Sequence, residues 1–444
     1  MQKTTWLRRL ALLAALATLA AACGGTGGEG TTETEAAGAT EEATEATEAT
    51  ETETADTGAG ETSEADGTLK IGTLLPETGS LAFLGPPEFA GVDLAVQEIN
   101  EAGGVLGEDI ESVKGDSGDT TTDIANQTVD RLLSQNVDAI IGAASSGVSF
   151  TVIDKITGAG VVHFSPANTS PDFTDYDDNG LYFRTAPSDV LQGRVLGELI
   201  IEDGFSTVGI LALQDPYGEG LADNVEQTIT GSGGEVLEKV IYDPNAQNYD
   251  AEVQRIVAAD PEAVVVIGFD ESARIISSMI EQGVGPADKQ VYTVDGNTGN
   301  ALGEQFKQQG ALDGVKGTLP GAEITGDFRD RLMEVDPNLQ DFSYAGESYD
   351  AVIVTALAAI AADSDAGTDI GEEIVGVTKD GTKCTEFSEC SQLLEDGEDI
   401  DYDGISGPIE MSDVGDPQVA SIGIYSFGPD NMLTDEVEYR EGQL

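Results

Sequence analysis

The chain has 444 residues and a formal net charge of −63 at pH 7, from 83 acidic and 20 basic residues. This acidic excess argues against nucleic acid as a partner, because phosphate binding needs patches of Lys and Arg. It fits either a solvated acidic surface or a protein that stays soluble in a saline habitat. The length exceeds one ordinary hydrophobic core, which predicts two lobes.

The N-terminal segment predicts export. Basic residues precede the apolar run Leu10–Ala22, which is shorter than the roughly 20 residues of a membrane-spanning helix and fits a signal-peptide core. The run ends at Cys23, and the segment resembles a bacterial lipoprotein signal, in which this cysteine becomes the lipid-bearing N-terminus. Residues 1–23 are therefore predicted to be a signal peptide with its lipidation cysteine. Ordinary secretion with a free Cys23 is the alternative.

Residues 24–67 form a low-complexity segment of Glu, Ala and Thr with thirteen carboxylates and no basic residue. Such a segment cannot bury enough apolar surface to offset its ordering entropy. We expect a disordered acidic linker, extended by self-repulsion, that holds a folded part off the membrane. A marginal helix is the alternative. No other run is expected to reach membrane-spanning length.

Predicted strands and helices alternate from Leu69 onward, which indicates a parallel sheet covered by helices. The first half reads, in order, strand LKIGTLL, helix EFAGVDLAVQEINEAGG, strand IESVKGD, helix TTTDIANQTVDRLLSQN, strand DAIIGA, helix VSFTVIDKITGAG and strand VVHFS.

The same order restarts after Arg184 with a helix that Ser188 is expected to cap. The second half reads helix SDVLQGRVLGELIIEDG, strand TVGILAL, helix GEGLADNVEQTITG, strand VLEKVIY, helix NYDAEVQRIVAAD, strand EAVVVIG, helix SARIISSMIEQG and strand QVYTVDG. The repeated order predicts two related doubly wound lobes. The C-terminal third adds helix SYDAVIVTALAAIAAD and strands IEMSD and VASIGIYSF, expected to complete both lobes after more than one crossing.

Small polar segments follow five of the predicted strands, namely AASSG, SPANTSP, QDPYGEG, FDES and DGNTG. Ligands of open parallel sheets bind beyond these carboxyl ends. Backbone N–H groups near Ala167 can donate to a carboxylate, and the hydroxyls of Ser146 and Thr169 can donate or accept. Asp295 can accept from an amine. These groups together suit a small zwitterion, although each alone could be a helix cap or a turn former.

Several segments resemble the branched-chain amino-acid-binding proteins of ABC importers, which are type I periplasmic binding proteins of the leucine/isoleucine/valine class. They are GTLLPETGSLAFLGPPEFAGVDLAVQEINEAGGVLG, IIGAASS, SPANTSPDFT, DPYGEGLA and YDGISGPIEM. The resemblance implies an α/β fold of two Rossmann-like, doubly wound lobes with three crossovers and a ligand cleft that closes by hinge motion. Lobe 1 would comprise residues 68–186 and 319–408, and lobe 2 residues 187–318 and 409–444.

The resemblance also implies roles for single residues. Ser146, the Ala167 backbone and Thr169 would hold the ligand's carboxylate and part of its amine. Asp295 stands where this class has a glutamate that pairs with the amine, and it keeps the charge with a shorter reach.

Aromatic and apolar positions would shape the rest of the pocket. Tyr217 would close over the ligand from the second lobe, and Phe269 stands where the class has a tyrosine. Phe83 and Leu84 would help to form the side-chain pocket. These differences leave open which amino acid, amide, urea or aromatic acid is bound.

The function implied is that of a monomeric, extracytoplasmic solute-binding lipoprotein, anchored to the cell membrane, that captures a small amino acid and delivers it to ABC permease subunits. It would be neither an enzyme nor a cofactor protein, and no metal is expected. The alternatives are the ligand-binding component of a sensory system and a binder of an amide or urea-type solute.

Three further motifs were weighed. Cys384 and Cys390 lie close together in an exported chain, which predicts a disulfide rather than a metal pair. The spacing of the acidic residues in 399–410 fits a calcium loop. Pro408 within the loop and the strand-like residues that follow it argue against calcium binding. His163 with a neighbouring serine could suggest a catalytic triad, but a core histidine is the better interpretation.

Overall fold

The computed structural model describes residues 65–444, and all structural statements below concern those residues. The predicted signal peptide, Cys23 and the linker up to residue 64 lie outside the described residues.

The first sheet has five parallel strands. They are β1 Lys70–Leu74, β2 Glu111–Val113, β3 Ala139–Gly142, β4 Val162–Ser165 and β5 Tyr182–Arg184. Their order is β2-β1-β3-β4-β5, with Ile71 of β1 opposite Ala139 of β3. The four residues of β3 are all buried, as expected for an apolar strand in the middle of a sheet covered on both faces.

The second sheet has seven strands. They are β6 Thr207–Leu213, β7 Glu235–Tyr242, β8 Ala263–Ile267, β9 Gln290–Thr293, β10 Lys316–Pro320, β13 Val419–Ser426 and β14 Glu438–Gln443. Their order is β14-β13-β10-β9-β8-β6-β7, and β13 runs antiparallel to both of its neighbours. A small separate pair is formed by β11 Thr382–Cys384 and β12 Ile400–Tyr402.

Helices cover both sheets. They are α1 Gly85–Ala102, α2 Ile124–Leu133, α3 Ser146–Phe150, α4 Ile153–Gly158, α5 Asp189–Glu202, α6 Pro216–Gly231, α7 Asp250–Ala259, α8 Ser272–Gln282, α9 Asn300–Glu304, α10 Gly326–Val335, α11 Ala345–Ala362, α12 Gly367–Ile374 and α13 Phe387–Glu395. The Ser188 side chain accepts from the Val190 N–H at the start of α5, which confirms the predicted cap.

The chain passes between the sheets three times. It leaves the first sheet after β5 and builds the second through β10. It then returns with α11, which packs on α1 and contacts β3 and β4, and finally adds β13 and β14 to the second sheet. The predicted fold of two doubly wound lobes with three crossovers is confirmed. The lobe boundaries stay a prediction.

Two predicted elements were wrong. The segment IEMSD is not a strand, and only Met411 forms an isolated bridge, to Pro417. Ile409 and Glu410 have φ angles of 59° and 36°, in the left-handed region that a β-strand excludes. The segment VSFTVIDKITGAG is not one helix but the two short helices α3 and α4.

The helix α11 also corrects the expectation that no run beyond the N-terminal segment reaches membrane-spanning length. It is 18 residues long with a mean hydropathy of 1.3, and it is the one described helix with the length and composition of a membrane span. However, 83% of it is buried inside the protein. It forms the centre of the apolar core between α1 and the first sheet, which is the place of a core helix.

The sulfurs of Cys384 and Cys390 are bonded at 2.10 Å. The bond joins the end of β11 to α13, and both cysteines are buried. It therefore ties β11 to the helix that connects it to β12.

Candidate functional site

The carboxyl ends of strands from both sheets meet around one cavity. It contains about 260 Å³ of space not filled by atoms, part of it open to solvent and most of it in narrow gaps between side chains. The lining residues are Leu81, Leu84, Ala144, Ser145, Ser146, Ala167, Thr169, Tyr217, Phe269, Asp295, Gly296 and Tyr344. Seven of the eight residues proposed from the sequence are therefore brought together.

Phe83 is the exception. Its half-buried side chain lines a separate depression with Pro86, Pro87 and Leu339. The neighbouring Leu84 does line the cavity. The structure thus places one of the two residues of this loop at the site.

The loop after β4 is held in place by its own buried side chains. The Asn168 amide donates to the carbonyl oxygens of Ala143 and Ala144, at 3.0 and 2.9 Å, and its oxygen accepts from the Tyr182 hydroxyl at 3.0 Å. The Ser165 hydroxyl donates to the same Ala143 carbonyl at 2.7 Å. The loop that carries Ala167 and Thr169 is therefore fixed to the end of the neighbouring strand β3.

A buried ion pair supports the same loop from behind. The Arg184 guanidinium is fully buried and donates to Asp416 through Nε at 2.6 Å and Nη2 at 2.9 Å. Its Nη1 donates to the Ser170 carbonyl at 2.8 Å. Such a two-pronged charged pair fixes orientation as well as distance, so Arg184 positions the backbone beside Thr169.

The two predicted donors of this loop differ in availability. The Ala167 N–H already donates to the Ser165 hydroxyl at 3.3 Å, so a ligand carboxylate would compete with a long internal bond. The Thr169 hydroxyl is buried and has no hydrogen-bond partner of good geometry among the described residues. It is the freer of the two groups.

Asp295 is buried at the cavity with three donors on its carboxylate. The hydroxyls of Tyr217 and Tyr344 donate at 2.7 and 2.8 Å, and the Gln192 amide at 3.0 Å. Burial raises the pKa of the Asp295 carboxyl, and these three hydrogen bonds oppose that rise. Since all three donors are neutral, the carboxylate still lacks a compensating cation.

Tyr217 and Phe269 form one wall of the cavity. Their rings are stacked with centroids 5.6 Å apart and planes 8° from parallel. Tyr217 lies at the start of α6 and Phe269 directly after β8. They provide an apolar surface next to the carboxylate of Asp295.

Sequence reasoning missed Asp189. This residue follows the Ser188 cap, and its N–H donates to the Thr169 carbonyl at 2.7 Å. Its fully buried carboxylate has no partner of good geometry among the described residues. Burial and then the charge of Asp295 raise its pKa well above the ordinary value, while the Thr169 hydroxyl and Arg184 lower it. Because acidic residues are common in first helical turns, the sequence carried no distinctive signal.

Gln192 and Tyr344 were also missed. Gln192 projects from α5 and reaches both Asp295 and Thr318. Tyr344 immediately precedes α11, 49 residues beyond Asp295 in the chain. Their roles follow only from the third dimension, because neither stands at the end of a strand.

A family model described as "Periplasmic binding protein" matches residues 68–415. The chain belongs to this family.

Two curated relatives show how far the similarity of this periplasmic binding protein extends. The "Leu/Ile/Val-binding protein homolog 2" of Brucella abortus is 31% identical over 307 residues, which cover 65% of this chain and 77% of the relative. The "Chemotactic signal transduction system substrate-binding protein BasB" of Halobacterium salinarum is 25% identical over 359 residues, or 77% of this chain and 83% of the relative.

Solved structures share the fold at low identity. The leucine-binding protein LivK of Thermotoga maritima has a TM-score of 0.69 and 22% identity, covering 84% of this chain and 98% of its own. LivJ of Streptococcus pneumoniae, in complex with isoleucine, has the same TM-score and identity, and the match covers 84% of this chain and 100% of LivJ. A solute-binding protein of R. palustris in complex with 4-hydroxybenzoate has a TM-score of 0.70 at 16% identity and covers 85% and 98%.

The structure also bears on the motifs weighed earlier. In the acidic loop, Lys383 Nζ lies 3.0 Å from Asp401, 2.8 Å from Asp403 and 3.9 Å from Glu410. A lysine thus stands among the carboxylates proposed for calcium. His163 is fully buried with its ring edge against Tyr182, and neither ring nitrogen is hydrogen-bonded to a side chain in the described part of the chain. The core interpretation of His163 is confirmed.

Proposed function

We propose that this periplasmic binding protein captures a small amino acid outside the cytoplasm. The observation that carries the proposal is the buried carboxylate of Asp295, which lines a cavity whose lining residues include no Lys or Arg. A buried carboxylate without a cation is costly, and an ammonium group supplied by the ligand removes that cost. The Thr169 hydroxyl and the loop around Ala167 then receive the ligand's carboxylate.

Calorimetry with matched ligands tests the charge requirement. Leucine, isoleucine and valine are titrated beside 4-methylpentanoate, which is leucine without its amine, and beside 4-hydroxybenzoate and urea. We expect at least one amino acid to bind and 4-methylpentanoate to bind at least about 100-fold more weakly, a difference of about 2.7 kcal/mol. Equal or tighter binding of an acid without an amine, or of urea, would overturn the proposal.

Delivery to an ABC permease is the proposed role of the captured ligand, and it is supported by the relatives named for leucine, isoleucine and valine binding. A sensory role is the second candidate, supported by the chemotactic relative. Removing the protein from its host separates the two. Loss of uptake of the radiolabelled amino acid indicates import, and loss of chemotaxis towards it with unchanged uptake indicates sensing.

Attachment to the membrane through a lipid on Cys23 is also part of the proposal, supported by the lipoprotein-like segment that ends there. Fractionation of cells that express the wild-type protein or Cys23→Ala tests it. We expect the wild type in the membrane fraction, with a mass that includes the lipid, and the variant in the soluble fraction or unprocessed. A wild-type protein that is soluble and unlipidated would contradict this part.

A further inference from the structure

A second cavity lies apart from the candidate ligand site. It encloses about 1470 Å³ of space, part of it open to solvent. Its walls are the segment after β10, the start of α11 and side chains of β13 and β14. Only Tyr344 lines both cavities.

An unpaired buried carboxylate faces this second cavity. Glu347 is 5% exposed, and no side chain among the described residues donates a hydrogen bond to it or pairs with it. A hydrogen bond from its own backbone N–H is the interaction that lowers its pKa. A Cβ on Gly321 would lie 2.7 Å from Glu347 Oε1, so the chain at the cavity wall runs directly past the carboxylate.

A second acidic side chain lies behind the first. Glu88 of α1 is fully buried, and both of its carboxylate oxygens lack a hydrogen-bond partner among the described residues. Burial and then the charge of Glu347 raise the pKa of Glu88 well above its ordinary value. Glu347 in the cavity wall therefore lies near a second buried carboxyl group, and neither forms a salt bridge among the described residues. This arrangement costs free energy unless a cation is bound or the groups are protonated.

The remaining walls favour an organic cation over a metal ion. Phe342, Tyr344, Tyr425 and Tyr439 line the cavity, and aromatic rings attract ammonium groups through their negative faces. Calcium takes about 6–8 oxygen ligands, whereas no group of three or more His, Cys, Asp or Glu side chains in residues 65–444 could hold a metal ion.

The basic side chain of the cavity does not neutralise Glu347. The Arg329 guanidinium lies over the Phe342 ring, 4.5 Å from its centroid. Among the described residues, it forms no ion pair with Glu347. Its position shows that this wall already accepts a cation against an aromatic ring.

We propose that the second cavity binds a small organic ammonium ion, with Glu347 as its counter-charge and the tyrosines around its carbon atoms. This site is distinct from the cavity proposed for the amino acid, and Tyr344, which lines both, connects the two.

The titration of Glu347 gives the site a pH dependence. Burial raises its pKa to about 8, so the carboxylate becomes mostly ionised, and able to attract a cation, only above that pH. The titratable and charged groups around Glu347 and its cavity are Glu88 of α1, Arg329 of α10, Tyr344, Asp350 of its own helix, Tyr425 of β13, Tyr439 of β14 and the acidic residues Glu323, Asp341 and Asp435.

Calorimetric titration with tetramethylammonium chloride, against sodium chloride of equal ionic strength, tests the proposal. The ion carries its charge at every pH. Because the cleft also contains carboxylates, the titration uses an Asp189→Asn, Asp295→Asn double variant as the background. We expect one saturable site at about pH 9, with a Kd on the order of 1 mM, and binding at least about fivefold weaker at pH 6.5.

Two variants in that background locate the site. Glu347→Gln should weaken binding by at least about tenfold, and it should fold, because an amide has the shape of a protonated carboxyl group. Glu323→Gln removes a charge from an exposed residue of the same cavity and should leave the Kd within about twofold. Tyr425→Leu serves as a second probe if Glu347→Gln does not fold, and it should also weaken binding.

The results that would overturn the proposal are distinct. One is the absence of saturable binding by the folded background protein. Another is binding that Glu347→Gln, or Tyr425→Leu in its place, leaves unchanged. A third is a loss of affinity in Glu323→Gln equal to that in Glu347→Gln, because it would show that the cation is attracted to the acidic surface in general and not bound at one site.

Discussion

At the scale of single residues, the unusual feature is a set of buried carboxyl groups that form no salt bridge among residues 65–444. Asp189, Asp295, Glu88 and Glu347 are all at most 5% exposed, and burial raises the pKa of each. A buried charge needs a partner or becomes protonated. Asp295 lines the candidate ligand cavity and Glu347 lines the second cavity, so each marks a place where a cation from outside would be stabilised.

Asp295 offers a direct test at the candidate ligand cavity. Asp295→Asn keeps one oxygen, which can accept from the Tyr217 hydroxyl, and places an amide NH2 opposite the Tyr344 hydroxyl, while it removes the charge. We expect it to weaken binding of the best amino acid by about 2–5 kcal/mol, the range for breaking a buried charged pair, while the empty protein remains folded.

The matched control is Asp270→Asn, which neutralises an exposed carboxyl group outside the cavity lining. It should leave the affinity unchanged. Unaltered affinity in Asp295→Asn, measured by calorimetry, would remove the amino-acid interpretation and favour an uncharged amide or urea.

His163 provides a pH-dependent stability test. Burial lowers its pKa to about 4, although the Gly142 backbone opposes this, and its unfolded value is about 6.5. The folded state therefore holds it neutral. The contribution of neutral His163 to the free energy of unfolding is fully present above about pH 6.5 and is lost as the pH falls towards 4.

We expect the free energy of unfolding of the wild type, relative to His163→Phe, to decrease by about 2 kcal/mol between pH 7.5 and pH 5. The difference between the two proteins cancels the titration of the many carboxylates. Urea unfolding at both pH values measures it. A difference that does not change with pH would contradict the neutral buried state.

At the scale of elements, the site depends on what immediately follows each strand. The short helix α3 follows β3 of the first sheet, and α6 follows β6 of the second. They meet across the cavity, because a Cβ on Gly147 of α3 would lie 2.1 Å from Oδ2 of Asp215, the residue that caps α6. A glycine is therefore required for the two halves to approach this closely.

We expect Gly147→Ala to hinder this approach and to weaken ligand binding, with an overpacking cost of about 1–3 kcal/mol. Gly158→Ala in α4 is the control, since nothing lies within 4 Å of the added carbon. Calorimetry and thermal unfolding are measured for both variants. A loss of stability in Gly147→Ala with unchanged affinity would show that this contact serves folding and not closure on a ligand.

At the scale of the whole molecule, charge dominates. The 83 acidic residues outnumber the 20 basic ones, and self-repulsion of this kind destabilises a compact state. Raising the salt concentration from about 0.1 to 1 M shortens the screening length from about 10 to about 3 Å.

We therefore expect the Tm of the ligand-free protein to rise with sodium chloride over this range, and equally with potassium chloride, because screening does not depend on the cation. Differential scanning calorimetry measures it. A Tm that falls or stays constant would argue that the acidic surface is only a solvated one, with no advantage in a saline habitat.

The sequence by itself determined the fold class and predicted most of the residues that line the candidate site. Alternating apolar strands and helices have periods that can be read locally, and polar segments after parallel strands must meet at one edge of a sheet. Ser146, Ala167, Thr169, Tyr217 and Asp295 were found in this way.

Only the tertiary structure decided what pairs with what. Asp189 and Glu347 are two acidic residues among 83, and what marks them is burial, which depends on distant chain segments. Tyr344 reaches Asp295 through the crossing of the chain after β10, and Phe83 turns away from the cavity that Leu84 lines. Burial and pairing are properties of the packed chain, so no local pattern contains them.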